Sequence, residues 1–200
     1  TVLLRRQLES MPDGGVYALS IPVAPYRCPP GPYERACQVA WYFKRAKPKS
    51  KVLVLDGNPD VTSKAGLFKK AWNDLYKGIV EYRPNHVLTD VDLATKTAKF
   101  ETADDVRASV LNVIPPHRAG GIARTAGVIT ANNRWCEVDF LSYESIRGKG
   151  VHVLGDSIQT TRGASSRMAA TDSAVSHSGS QRSSNRPRFA AALNSRWQPP

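Results

Sequence analysis

In the first 83 residues, short apolar runs alternate with stretches in which apolar residues recur at helical spacing. The runs predict strands and the stretches predict helices. Short, mostly apolar runs predict strands over residues 16–23, 51–56 and 79–82. Between them, apolar residues recur every three or four positions, which predicts helices over residues 33–46 and 64–76. Strands and helices in this order make half of a Rossmann-like parallel sheet, which places the chain in the α/β class.

The period changes to two further along the chain. Alternation over residues 86–101 and 106–113 predicts an antiparallel meander of about three strands, inserted as a small sheet on one face. Residues 110–114 predict a fourth buried strand of the main sheet, and two prolines end it.

An apolar run at residues 151–154 predicts another buried strand, directly followed by Gly155 and Asp156. In flavoproteins a carboxylate in this position accepts a hydrogen bond from a cofactor hydroxyl, and the glycine allows close backbone approach. The alternative interpretation is a strand followed by an ordinary Gly-Asp turn. The residues alone support both interpretations equally.

The formal charge of +11 is unevenly distributed, because residues 161–200 contain six arginines and one acidic residue. This basic, low-complexity tail has little apolar bulk and is predicted to be disordered. Basic and acidic groups are interleaved elsewhere, and no nucleic-acid-binding motif occurs, so we expect no binding to nucleic acid. No apolar run is long enough for a transmembrane segment. The N-terminus lacks an initiator Met and a signal-peptide cleavage site, which predicts a fragment.

The turn from Cys28 to Pro32 lies between the first strand and the first helix, where nucleotide-binding α/β proteins have a Gly-rich phosphate cradle. Three prolines remove backbone N–H groups that would bind a pyrophosphate, so NAD binding is expected to be lost. Asp56 ends a strand where NAD-dependent enzymes bind ribose, and it is interpreted here as a turn residue.

Three cysteines allow one disulfide and leave one thiol over. They lack the CxxC spacing of zinc or iron–sulfur sites, and the histidines have no metal-binding spacing, so no metal site is expected. Cys37 lies in a predicted helix and is interpreted as a buried small residue. Cys28 and Cys136 lie in irregular segments beside Pro, Arg and Trp, which leaves reactive roles open for both.

Four segments carry a resemblance to a known family. They are LRRQLE and MPDGG within residues 4–15, YRCPPGPYER at residues 26–35, NVIPP at residues 112–116, and WC at 135–136 followed by GVHVLGD at 150–156. In this order they resemble the flavoprotein subunit of flavocytochrome c sulfide dehydrogenase, a two-dinucleotide-domain flavoprotein related to glutathione reductase. CPPGPYER is highly specific, and the resemblance extends over residues 1–160.

The resemblance implies a division of the chain into three parts. Residues 1–115 resemble the second, NAD-type domain of the family, and residues 116–160 resemble the segment that returns to the FAD domain. Residues 161–200 show none of the family's sequence and have the composition of an out-of-frame read, so a frameshift near Thr160 is expected.

The resemblance also implies the site residues. Cys28 and Cys136 match the redox-active pair that forms a disulfide near the flavin, and Gly155-Asp156 matches the pair that binds the FAD ribityl chain. Sulfide is a soft nucleophile that can attack a disulfide sulfur, giving a persulfide and freeing the other thiol. Which cysteine is attacked first stays open.

The expected function is therefore that of a periplasmic, flavin-dependent sulfide dehydrogenase that passes electrons to a c-type cytochrome subunit. The chain contains no G-x-G-x-x-G, the family's FAD diphosphate motif, which would lie upstream of Thr1. We therefore expect the chain to be inactive alone. The alternatives are a sulfide:quinone oxidoreductase-like flavoprotein and a non-catalytic Rossmann-like binding module.

Overall fold

A computed structural model of the protein describes residues 2–159. The helices are α1 (Val2–Ser10), α2 (Gly31–Ala46), α3 (Ala65–Leu75) and α4 (Gly121–Thr125). The strands are β1 (Val16–Ile21), β2 (Lys51–Asp56), β3 (Val80–Arg83), β4 (Leu88–Asp92), β5 (Thr97–Phe100), β6 (Val106–Arg107) and β7 (Val110–Val113). One turn of 3-10 helix covers Gly155–Ser157.

Four parallel strands form the main sheet, in the order β3-β2-β1-β7. Ala18 in β1 pairs with Leu53 of β2 on one side and with Leu111 of β7 on the other. The chain moves outward from β1 to β3 and later returns to the opposite side of β1. The strand order therefore reverses between β1 and β7, and α/β proteins bind ligands beyond the carboxyl ends of the strands at such a point.

Side chains of β1 alternate between two cores. Tyr17, Leu19 and Ile21 pack into the core that the main sheet shares with α2 and α3. Ala18 points to the opposite face, which the antiparallel sheet β4-β5-β6 covers with residues such as Phe100. Because both faces are covered, the central strands are almost continuously apolar. The predicted α/β class and the inserted antiparallel meander are confirmed.

The predicted buried strand at residues 151–154 is wrong. Val151 and Leu154 are 40% and 68% exposed, and the only bridge of this segment within residues 2–159 joins His152 to Glu144. The main sheet ends at β3 and β7, and neither edge receives this segment. It pairs instead with the loop before it, because an apolar run becomes a buried strand only where a neighbouring strand can pair with it.

The described residues lie in one compact unit. The boundary at residue 115, between an NAD-type domain and a flavin-domain segment, stays a prediction. The predicted disordered tail at residues 161–200 lies outside the described residues. Across residues 2–159, every helix is too short or too polar to cross a membrane.

Candidate active site

The loop after β1 meets the loop after β7 where the strand order reverses. The backbone N–H of Arg27 donates a hydrogen bond to Nδ1 of His117 over 2.9 Å. Arg134 joins the same loops, because its Nη2 donates to the backbone oxygen of His117 (2.7 Å) and to that of Pro25 (3.3 Å). The expected ligand position of an α/β sheet is therefore surrounded by a hydrogen-bonded group of loops that includes the Cys28 turn.

Cys28 is exposed and has a φ of +54°, in the left-handed region. This conformation costs a residue with a Cβ about 1–2 kcal/mol, so the surrounding turn has to hold it in place. The carbonyl of Cys28 accepts a hydrogen bond of 2.9 Å from the N–H of Gly31, the first residue of α2. A Cβ added to Gly31 would lie 3.0 Å from Sγ of Cys28, so the sulfur lies against the first turn of the helix.

Cys136 is fully buried and packs beside Trp135 in a small apolar cluster. Burial raises the pKa of the Cys136 thiol. The backbone of Cys136 pairs with the chain around the 3-10 turn: its N–H donates to the oxygen of Ser157 (2.9 Å), and its oxygen accepts from the N–H of Gln159 (2.6 Å). Cys136 is therefore fixed by its backbone and shielded from solvent.

Arg27 connects the two cysteine-bearing segments. The residue is 8% exposed; its Nε donates to the backbone oxygen of Asp156 (2.7 Å) and its Nη2 to that of Ile158 (2.6 Å). The guanidinium carbon lies 3.8 Å from the ring centroid of Trp135. Burial lowers the pKa of Arg27 from its usual value, and the nearby Asp156 acts in the opposite direction.

The two cysteine-bearing segments contact each other through Arg27 and Trp135, the residues that directly precede Cys28 and Cys136 in the sequence. Both sulfurs are free thiols in this structure, and Cys37 is a third free thiol, half-buried in α2. A disulfide between Cys28 and Cys136 stays a prediction. The contact between Arg27 and Trp135 has no local sequence signal beyond the position of each residue next to a candidate cysteine.

His117 is half-buried within this group of loops. Burial lowers its pKa most, and the positive charges of Arg27 and Arg134 lower it further, while Asp156 acts in the opposite direction. Because a backbone N–H can only donate, Nδ1 of His117 must be unprotonated where it accepts from Arg27. The neutral imidazole is therefore the form that holds the two loops together.

Gly155 and Asp156 lie in the 3-10 turn, next to the residues that pair with the backbone of Cys136, and not at the end of a buried strand as predicted. Gly155 has a φ of +71°, and no atom of the described chain lies within 4 Å of a Cβ added to it. Asp156 is exposed, and its carboxylate accepts no hydrogen bond from the residues that the structure describes. A hydroxyl-bearing ligand can therefore approach the backbone here and donate to a free carboxylate.

The interpretation of Asp56 as a turn residue describes only part of its role, in which its Oδ1 accepts the backbone N–H of Asn58 over 3.0 Å in the turn after β2. Its carboxylate is fully buried and accepts hydrogen bonds from the hydroxyls of Tyr33 (2.7 Å) and Tyr82 (3.1 Å) and from Nδ2 of Asn58 (2.7 Å). The hydroxyl of Tyr26 in turn lies 3.2 Å from that of Tyr33. The sequence could not reveal this network, because its members come from α2, β2, β3 and the loops that follow β1 and β2.

Two solved structures of similar fold are described as redox enzymes. One is the HOCl-induced flavoprotein disulfide reductase RclA from Escherichia coli, in a Cu(II) complex: TM-score 0.51, 14% identity, covering 81% of this chain and 38% of that chain. The other is the sulfide:quinone oxidoreductase from the hyperthermophilic bacterium Aquifex aeolicus: TM-score 0.52, 14% identity, covering 69% and 34%. The chain spans little more than a third of either protein, and at this identity the likeness defines the fold, that of a flavoprotein reductase.

The family is defined more narrowly by the sequence. Residues 1–115 match the family model of the central part of the flavoprotein chain of sulfide dehydrogenase, a flavocytochrome c. The match extends over more than half of the chain, and the chain belongs to this family of flavoprotein chains. The resemblance inferred from the four sequence segments is thereby confirmed.

Proposed function

We propose that the chain serves a flavin-dependent sulfide dehydrogenase in which Cys28 and Cys136 form a redox-active disulfide. The observation that supports this most directly is the 3.8 Å contact between Arg27 and Trp135, because these residues immediately precede the two cysteines. Membership in the flavocytochrome c family supports sulfide as the substrate, a c-type cytochrome as the partner and the periplasm as the compartment.

We assign the two cysteines different roles because they differ in exposure. Hydrosulfide attacks Sγ of Cys28, the exposed member, and the sulfur–sulfur bond breaks with its electron pair going to Cys136. The products are a persulfide on Cys28 and a thiolate on Cys136, so atoms and electrons balance. Because burial raises the pKa of the Cys136 thiol, the released thiolate readily takes up a proton, which leaves Cys136 as a thiol.

FAD, the cofactor of the family, fits one part of the described chain. Gly155 and Asp156 would hold it, since the backbone at Gly155 is open and the Asp156 carboxylate is free to accept a hydroxyl hydrogen bond. When bound, FAD would supply the two-electron acceptor that reoxidises the cysteine pair. The 200 residues contain no G-x-G-x-x-G cradle for its diphosphate, so we propose that this chain alone does not retain the cofactor.

Sulfur transfer to Cys28 tests the function without requiring FAD. Trypsin cuts after Arg27, Arg35 and Arg134, so each cysteine lies on its own peptide, 28–35, 36–44 or 135–147. The oxidised 200-residue chain would be treated with sodium sulfide, alkylated, digested and analysed by mass spectrometry. We expect one additional sulfur atom on peptide 28–35 and an alkylated thiol on peptide 135–147.

The matched control is Cys136→Ser, which leaves Cys28 without its partner and should abolish the sulfur addition under the same treatment. A wild-type chain that gains no sulfur on peptide 28–35 would contradict the proposal and leave the non-catalytic binding module as the better interpretation. The alternative electron acceptor, a quinone, rests only on the fold shared with the Aquifex enzyme, whereas the family match favours a cytochrome.

A further inference from the structure

Arg27 and Trp135 form a contact that we call the Arg27–Trp135 clamp. The guanidinium carbon lies 3.8 Å from the ring centroid, within the range of a cation–π interaction, and Trp offers the strongest aromatic face for it. Both residues are more than nine-tenths buried. The contact therefore lies in a desolvated environment, where such an interaction gains strength.

The guanidinium also holds the segment that carries the backbone partners of Cys136. It donates to the backbone oxygens of Asp156 and Ile158, over 2.7 and 2.6 Å. The oxygen between these two, that of Ser157, accepts the N–H of Cys136. Arg27 thus reaches Cys136 by two routes, through the indole beside it and through the backbone ladder that pairs with it.

We infer that the Arg27–Trp135 clamp is a positioning device that sets the equilibrium between the Cys28–Cys136 disulfide and the dithiol. The two cysteines are far apart in sequence, so closing the bond carries a loop entropy cost. The clamp is formed by the directly preceding residues, so folding already brings the two segments together before the bond forms. This raises the effective concentration of one thiol at the other. The inference rests on the proposed function, because it presumes that this pair forms a bond.

Arginine suits this task better than lysine does. Its planar fork donates to two backbone oxygens while its face stacks on an aromatic ring, whereas the lysine ammonium is a point charge that cannot do both. Arg27→Lys therefore keeps the buried charge but loses the fork. Arg27→Met keeps most of the apolar stem and loses both charge and donors.

The experiment is a redox titration of the 200-residue chain in glutathione buffers, with the tryptic peptides used to identify the cysteines that pair. The reaction is balanced, since two thiols reduce one oxidised glutathione to two reduced glutathiones. We expect Arg27→Met and Trp135→Leu each to lower the equilibrium constant for disulfide formation about tenfold, a rise of about 30 mV in midpoint potential. Arg27→Lys should restore part of the loss and lower the constant only about threefold.

The chain offers a matched control in α2. Arg45 lies over Trp41 with the same 3.8 Å separation, and Trp41 is 40% exposed. Arg45→Met and Trp41→Leu remove an equivalent stack that contacts neither Cys28 nor Cys136, so both should leave the potential of the pair unchanged. In the double variant Arg27→Met with Trp135→Leu, the equilibrium constant should fall no further than in the more affected single variant, because the two residues act as one unit.

Each outcome decides between the proposals. A wild-type chain that forms no Cys28–Cys136 bond would overturn the proposed pairing and the clamp with it. A wild-type chain that forms the bond, with Arg27→Lys, Arg27→Met and Trp135→Leu all keeping its potential, would overturn the clamp alone. The clamp would also be overturned if the α2 control variants lowered the equilibrium constant equally, or if the effects of the two substitutions added up in the double variant. Near-ultraviolet circular dichroism identifies any variant that fails to fold. If Arg27→Met or Trp135→Leu fails, the midpoint potential of Arg27→Lys decides the outcome.

Discussion

The sulfur of Cys28 is exposed, but the turn that holds it leaves little room on the side of α2. Its left-handed backbone, the hydrogen bond from Gly31 to its carbonyl and the contact of Sγ with Gly31 all involve the first turn of α2. A side chain at residue 31 would therefore compete directly with the sulfur for space. Glycine is needed at residue 31 because a side chain there would displace the sulfur. The backbone conformation of residue 31 would by itself accept other residues.

The change Gly31→Ala tests this packing. The new methyl group would lie 3.0 Å from Sγ, so we expect the sulfur to shift and Cys28 to be alkylated several-fold more slowly than in the wild type. Timed iodoacetamide labelling, read on peptide 28–35, measures the rate. Gly66→Ala is the matched control, because Gly66 lies in the first turn of α3 with no atom within 4 Å of an added Cβ. Unchanged labelling in Gly31→Ala would contradict the expected crowding.

His117 should make the stability of the chain depend on pH. Burial first, and then the charges of Arg27 and Arg134, lower the pKa of His117 below the value near 6.5 of an unfolded histidine. As the pH falls below about 6.5, His117 binds a proton in the unfolded chain but stays neutral in the folded chain. The free energy of unfolding should therefore fall on acidification, by at most about 1.4 kcal/mol per pH unit for this single proton.

Urea unfolding between pH 7.5 and 5 measures this slope. His117→Asn keeps an acceptor for the N–H of Arg27 but cannot be protonated, so its slope should be shallower than that of the wild type. His152→Asn is the control, because His152 is exposed and its ring forms a hydrogen bond of 3.0 Å with a backbone oxygen, that of Ser142. Identical slopes in the wild type and His117→Asn would contradict the lowered pKa.

The end of β2 and the start of α2 are joined by a buried polar network. Asp56 closes β2, Tyr33 extends from α2, and Tyr82 comes from β3. A buried carboxylate is tolerated only where donors surround it, and three side chains supply them here. The network therefore fills the crevice in which an NAD-dependent protein would bind ribose.

The substitution Asp56→Asn should lower the free energy of unfolding by about 2–3 kcal/mol, since it replaces an acceptor of charge-assisted hydrogen bonds inside a buried network. Urea denaturation measures the loss. Asp60→Asn, four residues further on, changes an exposed carboxylate that pairs with Lys69 and should stay close to the wild type. A loss no larger than that of Asp60→Asn would show that the network contributes little.

NADH binding is expected to be absent for the same reason. Tyr26 and Tyr33 occupy the crevice, the Asp56 carboxylate is already hydrogen-bonded, and prolines replace the phosphate-binding amides of the turn. Titration of the 200-residue chain should give no saturable rise in NADH fluorescence up to about 1 mM, which corresponds to a binding free energy weaker than about 4 kcal/mol. A saturable rise below that concentration would contradict the filled crevice.

The whole molecule is expected to fold around its main sheet without a flavin. The main sheet and both of its covered faces are made by residues 4–114, and Gly155 with the exposed Asp156 supplies only part of a cofactor site. The purified 200-residue chain should therefore be colourless, with no flavin absorbance near 450 nm, while far-ultraviolet circular dichroism shows α/β structure. Stoichiometric flavin absorbance would contradict the expectation that a G-x-G-x-x-G cradle is needed.

Local patterns were sufficient for the order of strands and helices. Hydrophobic period distinguishes a helix from a strand within about a dozen residues, so α2, β2, α3 and the antiparallel sheet were all predicted near their observed bounds. The pattern predicts the start of α2 two residues late, at residue 33 instead of Gly31, because proline is tolerated in the first turn of a helix. The prediction of a buried strand at residues 151–154 is wrong because an apolar run does not show whether a neighbouring strand can pair with it.

The sequence by itself determined the fold class, the family and the two candidate cysteines, since these depend on periodicity and on motifs that lie within single segments. Only the tertiary structure decided that Arg27 lies on Trp135, that Asp56 is the centre of a buried network, and that Cys28 is exposed while Cys136 is buried. These are contacts between segments distant in the chain. Their geometry follows from how the loops after β1 and β7 meet, which no local pattern specifies.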